Sequence, residues 1–309
     1  MDARPVDLAR ARREAKALLR SARGGDPAAL ARIGKREPLL ADAQLAIARE
    51  LGARSWPALV RRVEAEAAAR EELEAALLLG DEQRVSDALA RDPGAAGRPF
   101  GSRGWQPLLY VTYSDFLGGE RTEALLACAR ALLDAGADPN AASEDSERER
   151  VTALHGAAGV AHEPHMTALL LAAGADPDDG VSLRAAAGAE DPACLELLLD
   201  AGAKLYRAMA LAHAAQRGAL RTAQVLLERG PARWGERENA LVWATRGEAR
   251  PEMLRLLVEH GANPEASFDG TGRTPYGIAV RSGRRDLAEA LVALGARRRP
   301  GCARANRKA

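Results

Sequence analysis

A nine-residue ending that recurs along this chain limits its folds more than any other feature. Leu132–Asn140 reads LLDAGADPN. Close copies stand at Leu170–Asp178 (LLAAGADPD), Leu198–Lys204 (LLDAGAK), Leu226–Gly230 (LLERG), Leu257–Glu265 (LVEHGANPE) and Leu291–Ala296 (LVALGA). Their glycines, Gly136, Gly174, Gly202, Gly230, Gly261 and Gly295, are 38, 28, 28, 31 and 34 residues apart. Self-similarity at this period predicts a repeat array, in which each unit buries its apolar face against its neighbours. Each glycine follows an apolar helical run and stands where a helix ends in a left-handed residue, which glycine adopts without strain. Asp191-Pro192, Pro164 and Pro251 open three of those helices, because proline at the first helical position forfeits no hydrogen bond.

A shorter helix precedes each of these. Thr152-Ala153-Leu154-His155-Gly156-Ala157-Ala158 and Thr274-Pro275-Tyr276-Gly277-Ile278-Ala279-Val280 are the clearest, and Met209–Gly218 fits the same frame. Paired with the LLxxGADxN endings, these segments resemble the ankyrin repeat. Seven units are predicted, with first helices beginning near Glu71, Gln106, Thr152, Val181, Met209, Glu238 and Thr274. The resemblance covers roughly residues 71–296 and implies an all-α solenoid. Offsets of 29, 28 and 29 residues between Thr152 and Glu238 imply shortened fingers between units. The 46-residue step from Gln106 to Thr152 requires an insertion, assigned to Phe116–Thr122 and Ser143–Arg150.

Residues 1–70 do not repeat and are predicted as about four helices. Val6–Ser21 alternates apolar residues with arginines. Gly24-Gly25-Asp26-Pro27 is a stop followed by a cap and a first-turn proline. A third helix spans Ala41–Leu51, and Ser55-Trp56-Pro57 starts the fourth. These letters resemble a helical module that precedes ankyrin repeats in bacterial proteins, and the module is expected to cap the array. Residues 71–296 form the array, and residues 297–309 a basic, disordered tail.

Arginine far outnumbers lysine, which occurs only at positions 16, 35, 204 and 308, and alanine is abundant, as in a GC-rich bacterial genome. Met1–Arg20 lacks the apolar core of a secretory signal. No apolar run reaches the ~20 residues needed to cross a bilayer. Cys128, Cys194 and Cys302 lack metal-type spacing and suit a reducing cytoplasm. Residues 1–70 carry 15 basic and 9 acidic groups, residues 71–296 carry 23 and 34, and residues 297–309 carry six basic groups and no acidic ones. The array is therefore acidic by 11 charges between basic ends. That balance disfavours nucleic acid along the middle and, by steering, favours a protein partner with a basic and apolar segment.

Chemical motifs are sparse. His155, His162 and His165 lack a fourth ligand for a metal site, and His155 fills the histidine slot of the repeat signature, where the resemblance implies a structural hydrogen bond. No phosphate-binding loop or nucleophile–base pair stands out. No catalytic residue, metal or cofactor is expected. The resemblance implies a monomeric, non-catalytic scaffold that binds a protein through a concave groove lined by the first helices. The candidate groove residues are Tyr110, Tyr113, Ser114, His213, Gln216, Arg217, Thr245, Arg246, Arg281 and Ser282. Trp105, Tyr110, Tyr113 and Phe116 crowd one repeat, and tyrosine is favoured in interface cores; packing inside the fold is the competing role for these rings. Trp234 and Phe268, on fingers, are the next candidates. Two other classes stay open: an enzyme or ligand-binding site at the N-terminal module or at His155–His165, and nucleic-acid contact through the basic ends.

Overall fold

The structure is a computed structural model that describes residues 7–53, 55–101, 103–144, 150–204, 209–229, 236–266 and 273–298. Gly230, Trp234, Phe268 and the tail from residue 299 onward lie outside these. The structure is mostly helical and divides into two units, Met1–Leu73 and Glu74–Ala309.

In the first unit, helices span Leu8–Arg23, Pro27–Ile33 and Leu40–Glu50. A fourth begins at Trp56 and runs unbroken to Leu79, so the unit boundary falls inside it. The start signal at Asp26-Pro27 acts as the sequence implies: Asp26 accepts from the backbone N–H of Ala28 at 3.0 Å ahead of Pro27. The first helix starts later than the sequence suggests, because Asp7 caps it through the N–H groups of Ala9 and Arg10. Ala11, Ala15, Leu18, Ala22, Ala29, Ala43 and Ile47 form a small core in which alanines allow close helix approach.

The second unit is a stack of seven helix pairs among the described residues. The pairs are the end of Trp56–Leu79 with Glu82–Arg91, Pro107–Thr112 with Thr122–Asp134, and the π-helical turn His155–Val160 with Pro164–Ala172. Then come Ser182–Ala186 with Ala193–Asp200, Ala210–Arg217 with Leu220–Arg229, Glu236–Arg246 with Pro251–Glu259, and Pro275–Arg281 with Arg285–Ala293. First helices pack on first helices and second on second, giving two layers. The core between them is leucine and alanine: Leu125, Leu132, Leu154, Leu170, Leu195, Leu198, Leu254, Leu257, Leu287 and Leu291 are buried. This is an all-α ankyrin-repeat solenoid.

Gly136, Gly174, Gly202, Gly261 and Gly295 all have φ between +88° and +99°, as their helix-stopping role requires. The long step before repeat 3 holds extra residues at two places. Residues 115–121 form turns between the helices of repeat 2, and Ala142–Glu144 pairs antiparallel with Arg150–Thr152, while residues 145–149 of the expected Ser143–Arg150 insertion lie outside the described residues. The first helix of repeat 3 departs from a regular α-helix. Ala161 N–H donates to Gly156 O at 2.9 Å, a five-residue step characteristic of π-turns.

Candidate groove on the first-helix layer

Repeat 2 holds the aromatic cluster. Gly101 and Gly104, both at positive φ, turn the finger so that Phe100 and Trp105 pair across it. The rings of Phe100 and Trp105 lie 4.9 and 5.6 Å from that of Tyr110, and Trp105 lies 5.3 Å from Tyr113. Tyr110 is 1% exposed, and its hydroxyl donates to Phe100 O at 2.9 Å. Burial pushes its phenol above the usual range, with Glu74 adding to the effect. Tyr110 is therefore a core residue that braces the finger, and it offers no surface to a partner. Its slot turns inward because the long finger folds back over it. Phe116 is exposed instead, with the Arg121 guanidinium 5.3 Å from its ring.

Two further candidates are also buried. The Ser114 hydroxyl donates to Leu78 O at 2.6 Å, tying repeat 2 to repeat 1. Thr245 is 1% exposed, and its hydroxyl donates to Val242 O within its own helix. Tyr113 is half-buried, with its hydroxyl 2.9 Å from His155 Nδ1. His155 thus reaches across to the preceding repeat. Nδ1 of His213, also half-buried, lies 2.6 Å from Arg184 O. Gln216 is half-buried, and its backbone carbonyl accepts from Glu248 N–H at 2.7 Å. Arg217, Arg246, Arg281 and Ser282 are exposed. Arg217 pairs with Glu248 at 2.7 Å, and the Arg246 guanidinium lies 5.8 Å from the Trp243 ring.

The structure thus keeps seven of the ten candidates at least partly accessible along the first-helix layer and withdraws Tyr110, Ser114 and Thr245. It adds two that the sequence reading passed over. Arg184, in the middle of the five-residue first helix of repeat 4, is exposed, and half-buried Trp243 stands beside Arg246. Arg184 had a signal, since it stands in the His155 slot of its repeat.

The other candidate chemistries have plain structural partners. His165 Nδ1 and its backbone N–H both meet Glu163 Oε1, which caps the helix that Pro164 starts. His162 Nδ1 lies 3.0 Å from Ala158 O. No group of three or more metal-ligating side chains occurs among the described residues. Cys128 and Cys194 are buried, and burial raises both thiols from 9.0 to about 11. No described helix is long and apolar enough to cross a membrane.

A family model described as ankyrin repeats, in three copies, matches residues 211–299. The human ASB11 ankyrin repeat domain superposes with a TM-score of 0.59 at 19% identity, covering 74% of this chain and 99% of that one. The ankyrin repeat domain of Bcl-3, described as a unique member of the IkappaB protein family, gives a TM-score of 0.46 at 26% identity over 62% and 87% of the two chains. No curated protein matches. Ankyrin repeats are thus detected by sequence over the last three units, and the chain has the fold of an ankyrin-repeat solenoid.

Proposed function

We propose that this protein is a non-catalytic scaffold that binds a protein partner through the concave groove formed by its first helices. Ankyrin-repeat folds are generally interaction modules, and a solenoid presents one extended surface built from equivalent positions of successive repeats. One observation carries the reading. The first helices of repeats 5 to 7 bury their alanines and other small or apolar side chains between neighbours. Yet each ends in an exposed arginine, Arg217, Arg246 or Arg281, with Ser282 beside the last. Groups exposed in a row on a rigid scaffold are available for recognition without cost to the core.

The test is affinity purification from the source cell with full-length protein. The triple variant Arg217→Ala/Arg246→Ala/Arg281→Ala is compared with a control carrying Arg255→Ala and Glu289→Ala on exposed second-helix positions. The scaffold reading expects the control to retain the wild-type partner and the triple variant to lose it at unchanged helical content. Retention by both would place recognition elsewhere.

A further inference from the structure

The ends of the first helices in repeats 5 to 7 share one chemistry. Arg217, Arg246 and Arg281 are each the last residue of their helix, and all three are exposed. Arg184 of repeat 4 is also exposed, but it stands earlier in its unit, with its carbonyl against His213 and not against Arg217. The corresponding turns of repeats 2 and 3 carry no basic residue. Backbone bonds hold these ends in register. Glu248 N–H donates to Gln216 O at 2.7 Å, and the Arg284 guanidinium donates to Gly247 O at 3.0 Å and to Ala249 O at 2.6 Å. Arg217 meets Glu248. Among the described residues Arg184, Arg246 and Arg281 form no ion pair, and Arg246 instead faces the ring of Trp243. A helix C-terminus favours a cation. That preference does not require guanidiniums to stand clear of carboxylates in an array with 11 excess acidic groups.

We propose that this row receives an extended acidic segment of the protein partner, with carboxylates on Arg246 and Arg281 and an apolar side chain on Trp243. The inference rests on the groove reading above and sets the sign of the partner. Net charge over residues 71–296 argues for a basic segment, but the local row argues the reverse, and at contact distance the local groups decide because salt screens the rest. Packed helices stand roughly 8–10 Å apart and an extended chain advances about 3.3 Å per residue, so the segment carries its carboxylates about three residues apart. A guanidinium holds a carboxylate through two parallel hydrogen bonds. Nucleic acid fits less well. Its charge is continuous, and much of it would lie along an acidic array, whereas a short acidic segment places charge only where the arginines stand.

The probe is a displayed library of random dodecamers panned against the full-length chain. Selected peptides are then synthesised and measured by fluorescence anisotropy against wild type and Arg246→Gln/Arg281→Gln. Both sites are exposed, so the variant keeps the fold, which circular dichroism verifies. The expected result is enrichment of Asp or Glu at intervals of three, with at least a tenfold weaker Kd for the variant and a shallower salt dependence. Enriched Lys and Arg with the same sensitivity to the substitutions would overturn the acidic assignment and leave the groove standing. Enriched peptides indifferent to the substitutions, or no enrichment over a lysozyme control, would overturn the groove itself. A labelled 20-mer of deoxythymidine that binds wild type more tightly than any selected peptide, and loses that binding in the variant, would reassign the row to nucleic acid.

Discussion

Gly202 and Gly247 must be glycine for opposite reasons. Gly202 has φ +96°, and a Cβ there would meet nothing within 4 Å, so the demand is purely conformational. Gly247 carries no such φ, but a Cβ on it would lie 1.9 Å from Gln216 O, the carbonyl that binds Glu248. Gly202→Ala should cost about 1 kcal/mol, the strain of a left-handed alanine. Gly247→Ala should cost about 3 kcal/mol, because a backbone carbonyl must move and repeats 5 and 6 separate. Urea unfolding of the two variants checks the order, and a Gly247→Ala protein as stable as Gly202→Ala would refute the close packing. The first demand is legible in LLDAGAK. The second is not, because the atom that forbids the side chain lies in another repeat. Tyr110 teaches the same lesson. Its slot suggested a groove, but the finger of Gly101 and Gly104 folds over it. Tyr110→Phe removes the bond to Phe100 O and should lower stability by about 1 kcal/mol with partner affinity unchanged. A selective loss of binding at unchanged stability would return this ring to the surface. The two core thiols are testable by chemistry. Held protonated by burial, with values of about 11 against 9.0, Cys128 and Cys194 should resist a thiol reagent at pH 8 in a Cys302→Ser background until the chain is unfolded. Raised folded values mean that their contribution to stability is complete below pH 9 and lost as pH climbs through about 11. Rapid labelling of the native protein at pH 8 would contradict this burial.

At the scale of elements, ends were easier to read than shapes. Pro164 and Pro251 start helices and Gly136 and Gly174 follow helix ends, because those residues act through their own backbone. The π-turn at His155–Val160 was not legible, since its close contacts lie in other repeats. A Cβ on Gly156 would meet Thr112 and Tyr113, and one on Gly159 would meet Ala185 and the His155 ring, so both positions are packed too closely for a side chain. The five-residue helix Ser182–Ala186 is too short to stand alone, and Asp179 supplies what it lacks. Its carboxylate accepts from Val181 N–H and Ser182 N–H at 3.0 and 2.9 Å, and from the hydroxyls of Ser182 and Thr152 at 2.6 Å each. Both hydroxyl-bearing residues are buried, so Asp179→Ala strands them and uncaps the helix. The expected cost is about 2 kcal/mol, measurable by denaturant unfolding. A change of only a few tenths would show that water replaces the carboxylate.

For the whole molecule, repetition made the architecture legible and hid the site. Seven helix pairs follow from one spacing rule, because a solenoid adds the same nearest-neighbour interface at each step. The groove depends on which way each slot faces and on where charge collects, and net charge averages over both. Residues 71–296 are acidic overall, yet the exposed ends of three successive first helices carry arginine. The most direct test of the central claim is site-specific photo-crosslinking in the source cell. A photoreactive amino acid is placed in the full-length protein at Gln216 or Ser282 on the first-helix layer, and at Arg255 or Glu289 on the second. Binding through the groove predicts one shared crosslinked partner from the first pair of sites and none from the second. Crosslinks confined to Arg255 and Glu289 would show that the partner docks on the opposite layer and that the groove is not the binding face.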